Sequence, residues 1–436
     1  MSKRIQMPPI YPLPNNWTWV ELGGLTKIIS GYPFNSKLFS DLYTDGRPLV
    51  RIRDVVRGYT ETFTPEDCPE QNIVHKNDIL IGMDGDFNVG KWQSEDALLN
   101  QRVCFIQSTS ELLLNDYLFY FLPRPLKQIN DVTPSVTVKH LSIKTIEAIM
   151  IPLPPIDEQR RIIVLIESLF SKLDEAKEKA QEVVDGFEAR KAAILHKAFS
   201  GELTATWRKQ RMVDIECWEA KLWGELIQRI EAGKNWKCEE RPPYYNEFGV
   251  VKVSAVTWGE FNELESKTCT EPEQWNEKTQ IRTGDFLFSR ANTLQLVGNC
   301  VIVAEIERRL MLSDKILRLS FNDLVEPYYV LYFTRSDFYR QQVENLASGN
   351  QESMRNISQS NMRMIEIPLP SIPEQQEIIK ILDSLFRKEQ QIKETAEETI
   401  IRIDMIKKSI LSRAFRGELG TNDPTDESVE LLKQTI

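Results

Sequence analysis

Two stretches of the chain carry side chains whose donors and acceptors suit the edges of nucleic-acid bases. Arginine and lysine match guanine, and asparagine and glutamine match adenine. The candidates in the first stretch are Arg51, Arg53, Arg57, Lys91, Trp92, Thr137 and Lys139. The candidates in the second stretch are Lys252, Arg290, Asn292, Lys315, Asn350, Gln351 and Arg355. As two clusters they predict two DNA-binding surfaces, although for any single residue a structural hydrogen bond or a solvated position remains the alternative.

Motifs that would make the chain an enzyme are incomplete. Residues 241–244, Arg-Pro-Pro-Tyr, resemble an amino-methyltransferase motif, but the leading arginine lacks the acceptor that holds the target amine. The glycines of residues 82–90 have the wrong spacing for dinucleotide binding, and no P-loop lysine motif occurs. The Glu-x-Lys spacing of metal nucleases occurs at 175–177 and 265–267. The first occurrence lies in a predicted helix, and a charged helix face explains it better than a metal site does. We therefore expect no catalytic residues, no metal site and no cofactor in this chain.

The composition is that of an ordinary globular protein, and 436 residues predict two to three domains. Six scattered cysteines without C-x-x-C pairs, and only three histidines, argue against a disulfide framework or a zinc site. No apolar run reaches the ~20 residues of a membrane span, and the first residues lack a signal peptide, so we expect a cytoplasmic protein. The net charge of -10 means that DNA binding must rest on local basic patches or on basic partners.

The chain contains an internal duplication, because residues 151–203 return at 367–419 with a shift of about 216 residues. IPLPPIDEQRRII in the first copy becomes IPLPSIPEQQEII in the second. The regions before the two copies differ in sequence but follow one order of strands, loops and helices, which predicts mixed α and β modules. The predicted boundaries are 1–150 for the first module, 151–212 for the central helix and linker, 213–366 for the second module, and 367–436 for the distal helix and tail.

Each copy predicts one helix of about 43 residues and ~65 Å. Pro155 and Pro373 lie at the starts, and Gly201 and Gly417 lie where a left-handed residue would end each helix. Apolar residues recur at coiled-coil spacing. We call each set of these residues a seam, because it would contact the partner helix. The first seam is Ile162, Ile166, Leu169, Leu173, Ala176, Ala180, Val183 and Phe187. The second seam is Ile378, Leu382, Leu385, Ile392, Ala396, Ile403, Ile406 and Ile410.

The two long helices are expected to pack against each other in opposite directions. The short linker between Gly201 and Trp218 favours this antiparallel arrangement, which would bring the tail after Gly420 near the first module. A seam uses one stripe of each helix and leaves other apolar residues for partner proteins. The candidates for partner binding are Phe170, Leu195, Phe199, Phe386, Leu411 and Phe415.

Three motifs carry a resemblance to a known family: IPLPPxxEQ at 151–159, AFSGELTATWR at 198–208 and AFRGEL at 414–419, together with LPxxW at 13–17. The chain resembles the specificity (S) subunit of type I restriction-modification enzymes over essentially its whole length. The resemblance implies an α+β fold in which two mixed α/β target recognition domains are joined by two long antiparallel coiled-coil helices, with a pseudo-twofold internal repeat.

In that family each recognition domain reads one half of a bipartite DNA site. The resemblance further implies that the helices set the spacing and dock two methyltransferase (M) subunits, with restriction (R) subunits added for cleavage. S-adenosylmethionine, ATP and Mg would then belong to the partner subunits of an adenine-N6 methyltransferase and endonuclease complex, and not to this chain. Two alternatives remain open from the sequence: a structural coiled-coil scaffold and a stand-alone DNA-modifying enzyme.

Overall fold

The computed structural model describes residues 11–134, 139–257, 259–351 and 354–430. The chain divides into two compact units: Met1–Ala180 with Glu398–Ile436, and Gln181–Glu397. We call these unit 1 and unit 2. Each unit therefore combines one recognition module with parts of both repeated helices.

Unit 1 is a mixed α and β unit. Its strands are β1 (Thr18–Glu21), β2 (Thr26–Ser30), β3 (Arg47–Val50), β4 (Phe63–Thr64), β5 (Ile73–Val74), β6 (Ile79–Gly82), β7 (Val89–Lys91), β8 (Ala97–Leu99), β9 (Val103–Ser108) and β10 (Met150–Leu153). Its helices are α1 (Asp54–Arg57), α2 (Asn115–Phe121), α3 (Pro123–Val132), α4 (Ile143–Glu147) and the first part of α5 (Ile156–Asp185). The strands form sheets in the orders β2-β9-β6-β7, β4-β3-β8-β5 and β1-β10.

Unit 2 begins in the last part of α5. Its further helices are α6 (Phe187–Phe199), α7 (Ala205–Arg211), α8 (Trp223–Leu226), α9 (Pro327–Phe333), α10 (Asp337–Leu346), α11 (Gln359–Met362) and most of α12 (Ile372–Ala414), whose last part belongs to unit 1. Its strands are β11 (Glu219–Leu222), β12 (Ile227–Ala232), β13 (Cys238–Glu239), β14 (Phe248–Val251), β15 (Ser266–Cys269), β16 (Phe286–Ser289), β17 (Ala291–Asn292), β18 (Cys300–Ile302), β19 (Arg309–Met311), β20 (Ile316–Phe321), β21 (Ser348–Gln351), β22 (Met354–Asn356) and β23 (Glu366–Leu369). Its sheets have the orders β12-β20-β16-β18, β13-β15-β14-β19, β17-β22-β21 and β11-β23.

The two units share one topology, which confirms the internal duplication. The order β12-β20-β16-β18 in unit 2 matches β2-β9-β6-β7 in unit 1 when strands are taken in chain order. Strand β14 pairs antiparallel with β15 and parallel with β19, just as β3 pairs antiparallel with β4 and parallel with β8. The small sheet β17-β22-β21 belongs to unit 2, and an isolated antiparallel bridge between Asp84 and His140 lies after β6 in unit 1.

The predicted helix ends are confirmed. Gly201 (φ 82°) and Gly417 (φ 71°) adopt the left-handed conformation just beyond the last helical turns. The second repeat forms one helix of 43 residues, but the first is divided at Gly186 into α5 and α6. The backbone hydrogen bonds of Gly186 to Glu182 and of Arg190 to Gly186 persist at 3.0 Å, so the division is a local irregularity.

The antiparallel packing of the repeated helices is confirmed within each unit. In unit 1, Lys407 bonds to Asp174, and the Lys177 ammonium lies 2.7 Å from the Asp404 carboxylate. In unit 2, Lys393 lies 4.8 Å from the Phe187 ring and Arg190 lies 2.7 Å from Glu389. In each unit, later residues of the first repeat therefore contact earlier residues of α12, as the sequence predicts.

Three predicted seam residues are wrong. Ala176, Ile392 and Ile406 are exposed, whereas the other predicted seam residues are buried or half-buried. Lys393 and Lys407 occupy the seam positions next to Ile392 and Ile406, with their ammonium groups 4.8 Å from the ring centres of Phe187 and Phe170. Lysine fits there because its stem packs as an apolar chain while its charge interacts with an aromatic face.

Candidate nucleic-acid interface

In unit 1 the arginine candidates surround the short helix α1, which packs directly on the edge strand β7. A Cβ atom on Gly90 would lie 1.7 Å from the Val55 carbonyl oxygen, so only glycine permits this approach. Arg51 and Arg53 precede α1 and Arg57 ends it. The fold thus brings these residues next to the hairpin of β6 and β7, although they are separated from it by about 30 residues of chain.

The buried carboxylate of Asp54 fixes the turn that carries the three arginines. Its Oδ2 atom accepts hydrogen bonds from the Arg51 backbone N–H at 2.9 Å and from the Thr60 hydroxyl at 3.0 Å. The Arg53 guanidinium donates to the Thr62 hydroxyl at 2.8 Å, and Arg57 lies 3.8 Å from Glu61. The side chains of Arg53 and Arg57 are each 48% exposed, so both can reach a ligand.

The other candidates of unit 1 are less available. Trp92 is fully buried and its indole N–H donates to the Glu95 carbonyl at 2.6 Å, which corrects its assignment as a base-contacting residue. Lys91 pairs with Asp116 at 2.6 Å, and Lys139 donates to the Asn130 carbonyl at 2.7 Å. Thr137 lies outside the described residues.

Unit 2 presents its candidates on the equivalent elements. Lys252 directly follows β14, as Arg51 follows β3, and the turn Val253–Val256 takes the place of α1. Lys252 and Lys315 line one groove of about 470 Å³ together with Trp236 and Ser254. Lys267, Glu240 and Asp314 line it as well, and Glu240 lies 2.5 Å from Lys267 and 3.8 Å from Lys252, so the groove carries both charges.

The remaining candidates of unit 2 lie around the small sheet β17-β22-β21. Asn292 in β17 pairs with Arg355 in β22. The Asn292 amide donates to the Thr257 hydroxyl at 3.3 Å and accepts from the Thr293 N–H at 2.8 Å, so it orders the loop. The Arg355 guanidinium donates to the Gly349 carbonyl at 2.6 Å, and the Arg290 carbonyl accepts from the N–H of Ile357, the residue after β22, at 2.9 Å. The side chains of Asn350 and Gln351 in β21 lie outside the described part of the structure.

Half of the residues assigned to partner binding are buried inside their own unit. Leu195, Phe199 and Phe415 are at most 4% exposed, which corrects their assignment. Phe199 packs on Tyr329 and Phe333, and Phe415 packs on Tyr117 and Phe121. These aromatic contacts attach the ends of the repeated helices to the recognition modules.

Phe170, Phe386 and Leu411 are half-buried against the same cores and remain partly accessible. A different set of apolar side chains on α12 is exposed to solvent. Within unit 1 this set includes Ile401 and Met405, which are four residues apart, and we call these two residues the exposed row of α12.

A buried glutamine that the sequence analysis left without a role occurs in each repeat. Gln159 is fully buried, donates to the carbonyls of Leu112 and Pro154, and accepts from the Leu114 N–H. Gln375 makes the same three bonds, to Leu324, Pro370 and Glu326. Every polar atom of both amides is therefore used to hold the start of a long helix against the segment that leads into α2 or α9.

The glutamate before each glutamine accepts hydrogen bonds from the segment that follows the other repeat. In unit 2, Glu374 accepts from Thr204 at 2.7 Å, from Arg208 at 2.6 Å and from the Trp218 indole at 3.0 Å. In unit 1, Glu158 accepts from Thr421 at 2.7 Å and from Arg161, which also bonds to Asp426. The signal that could have revealed these roles is the Glu-Gln pair kept at the same place in both copies.

The tail also reaches the start of the chain in unit 1, as the sequence predicts. The Asn16 amide donates to the Asp423 carbonyl at 3.2 Å, and Asn422 donates to Asn16 at 2.9 Å. Segments more than 400 residues apart in the sequence are therefore in contact within unit 1.

Within the described ranges, no cluster of three His, Cys, Asp or Glu residues is arranged to hold a metal ion. None of the helices in that part of the chain has the length and apolar character needed to cross a membrane.

The family described as type I restriction modification DNA specificity domain matches residues 14–184 and 244–400. The chain is 29% identical to the type I restriction enzyme EcoBI specificity subunit of Escherichia coli, over 93% of this chain and 86% of that protein. It is 24% identical to the EcoKI specificity subunit of Escherichia coli K12, over 93% and 90%.

Two solved structures have a similar fold. The HsdS subunit from Thermoanaerobacter tengcongensis aligns with a TM-score of 0.60 at 18% identity, covering 94% of this chain and 99% of that one. A chain from a study of complex assembly and conformational transition of the type I R-M system aligns with a TM-score of 0.67, also at 18% identity, over 94% and 100%.

Proposed function

The chain belongs to the type I restriction modification DNA specificity family, and from this membership we propose that its two modules each read one half of an interrupted DNA sequence. It is a specificity subunit of a type I restriction-modification system, whose role is to recognise a DNA sequence. We propose that this DNA is double-stranded. The observation that carries the proposal is a repeated topology with unlike surfaces. Basic residues follow β3 in one unit and β14 in the other, but the side chains around them differ. Equivalent scaffolds with different contacts are suited to two different half-sites.

Exchange of one module tests this proposal. We expect that replacing residues 17–150 by the corresponding region of a relative changes one half of the methylated sequence and leaves the other half intact. The reciprocal exchange of residues 218–366 serves as the matched control and should change only the second half. A sequence preference that is unchanged by either exchange would favour a structural scaffold instead.

We further propose that two methyltransferase subunits dock on the repeated helices and that restriction subunits join them for cleavage. The exposed row of α12 supports this assignment, because solvent-facing Ile401 and Met405 lie one helical turn apart. S-adenosylmethionine, ATP and Mg would be held by those partners, and adenine-N6 methylation would be their reaction. Glu substitution of Ile401 and Met405 should weaken pull-down of the methyltransferase subunit, whereas Glu substitution of the buried Leu195 should impair folding.

Catalysis is assigned to the partners in this proposal. The purified chain, incubated with DNA, S-adenosylmethionine, ATP and Mg²⁺, should neither methylate nor cleave. Addition of methyltransferase subunits should restore methylation to the same preparation. Activity of the isolated chain would identify it as an enzyme in its own right.

DNA binding by the isolated chain should be weak and sensitive to salt. The net charge of -10 opposes approach to phosphates, and candidate cations such as Lys91 and Lys252 lie beside Asp116 and Glu240. We expect the affinity measured by fluorescence anisotropy to fall steeply between 50 and 200 mM salt, on the order of a hundredfold or more if several phosphates are contacted. Tight binding at physiological salt would contradict the need for basic partners.

A further inference from the structure

Two cysteine thiols face each other across neighbouring strands of unit 2. Cys238 in β13 is the register partner of Cys269 in β15, and the two strands are antiparallel. Their sulfur atoms lie 3.5 Å apart. Side chains directly opposite each other in an antiparallel pair have close Cβ atoms, which is the arrangement a disulfide bond requires.

The two thiols differ in access. Cys269 is 5% exposed, and burial raises the pKa of its thiol to about 12, with a further contribution from its hydrogen bond with Cys238. Cys238 is half-buried and lines the groove that also contains Lys252 and Lys315. The same groove is lined by Lys267 and by the acidic Glu240 and Asp314. A small disulfide that enters it meets Cys238 before the buried Cys269.

Strand β13 can move by the small distance that a bond requires. It consists of two residues and lies at the edge of its sheet, paired with β15 alone. The sulfur atoms would have to approach from 3.5 Å to about 2.05 Å. An edge strand can make this shift because no further strand is attached to its outer side.

We propose that Cys238 and Cys269 form a dithiol site that reacts with low-molecular-weight disulfides, such as glutathione disulfide, and closes to an intramolecular disulfide. The Cys238 thiolate attacks one sulfur of the oxidant, forms a mixed disulfide and releases one thiolate. The Cys269 thiolate then attacks the Cys238 sulfur, forms the protein disulfide and releases the second thiolate. Two protein thiols are oxidised, one small disulfide is reduced to two thiols, and the two protein protons go to solvent or to the released thiolates.

The disulfide would fix the edge of the groove that holds Lys252 and Lys315. Oxidation of these two thiols is independent of DNA recognition by this module, and it is measured in the absence of DNA.

The experiment incubates the intact folded chain with glutathione disulfide, traps free thiols and maps the peptides by mass spectrometry. We expect a Cys238–Cys269 crosslink that dithiothreitol removes. Cys269→Ser should stop at the glutathione mixed disulfide on Cys238, and Cys238→Ser should leave Cys269 unmodified. The Cys217→Ser variant lacks an exposed thiol of the same unit and is the control. It should form the Cys238–Cys269 crosslink at the same rate as the unmodified chain.

The closing step should depend on pH. Burial raises the pKa of the Cys269 thiol, so its thiolate is scarce at neutral pH and raising the pH should accelerate formation of the crosslink. Absence of the crosslink in the unmodified chain would overturn the proposal. Modification of Cys269 in Cys238→Ser as fast as crosslinking in the unmodified chain would also overturn it.

Discussion

The glutamate and glutamine of each repeated motif are buried, and their side chains hold segments that are far apart in sequence. Gln159 and Gln375 each make three hydrogen bonds, and Glu158 and Glu374 each accept from the chain that follows the other repeat. A buried polar group without partners is strongly destabilising, so these residues specify how the segments join. Their identity in both copies thus has a structural reason.

Gln375→Leu should lower the free energy of unfolding by about 3 kcal/mol, because it leaves the Leu324 carbonyl, the Pro370 carbonyl and the Glu326 N–H without their partner. Urea unfolding of the full chain measures the effect. Gln376→Ala, at the exposed neighbouring position, is the control and should stay within about 0.5 kcal/mol. Equal effects of the two substitutions would contradict the role of the buried amide.

Arg208 and Glu374 form a buried ion pair whose side chains are 8% and 1% exposed. Arg208→Met or Glu374→Gln alone should destabilise the chain by about 3–5 kcal/mol, because each leaves a charged or polar partner unpaired. The double substitution should lose clearly less than the sum, with a coupling energy of about 2 kcal/mol.

The exposed pair of Arg282 and Glu277, 3.9 Å apart, provides the matched control for this cycle. Its coupling energy should be at most about 0.5 kcal/mol, since solvent screens exposed pairs. Additive effects at Arg208 and Glu374 in the same urea-unfolding assay would show that the buried pair does not act as a unit.

At the scale of elements, the position of α1 depends on the absence of a side chain at Gly90. The equivalent turn of unit 2, Val253–Val256, carries Lys252 in the place of Arg51. The same support can therefore present different side chains, which is what two readers of different sequences require.

Gly90→Ala should displace α1 and with it Arg53 and Arg57, because the new Cβ would lie 1.7 Å from the Val55 carbonyl. We expect the assembled complex to lose at least tenfold in affinity for the first half-site, while the unfolding free energy falls by about 1–3 kcal/mol. Gly24→Ala is the control, since a Cβ there meets nothing within 4 Å. Unchanged binding by Gly90→Ala would remove α1 from the interface.

The long helices show why an apolar pattern alone leaves their orientation open. Ile392 and Lys393 are adjacent, and so are Ile406 and Lys407, so either member of each pair fits a spacing of three and four. Successive residues differ by about 100° around a helix. The lysines take the inner positions because Phe187 and Phe170 face them, which leaves the isoleucines exposed.

At the scale of the whole molecule, the distance between the two half-sites can be tested by insertions into the long helices. The suitable positions are those at which the chain passes from one compact unit to the other. Unit 1 ends at Ala180 and resumes at Glu398, close to the positions Glu182 and Glu398 on the two helices. Insertions there leave the core of each module intact. They therefore test spacing without altering the recognition surfaces.

Insertion of four residues after both Glu182 and Glu398 adds about one helical turn, or ~6 Å, to each helix. We expect the preferred spacer between the half-sites to lengthen by about two base pairs, as read by methylation of a library of spacers. Insertion of four residues in the exposed linker after Met212 is the control and should leave the spacer unchanged. An unchanged spacer in the helical insertions would contradict spacing by the helices.

The sequence by itself determined the duplication, the ends of the long helices, the antiparallel direction and the family. These features rest on signals that are local or repeated, such as Gly201 and Gly417 in left-handed conformations and the recurring IPLP motif. A repeat is visible in the letters alone, and a helix end depends on a few neighbouring residues.

The tertiary structure decided which side chains are available. Trp92, Phe199 and Phe415 have the residue types of binding sites but are buried, and Cys238 meets Cys269 only because β13 pairs with β15. Burial and pairing depend on contacts between segments that are distant in the chain. Residue type and spacing carry no record of those contacts, so only the folded arrangement assigns each side chain to the core or to the surface.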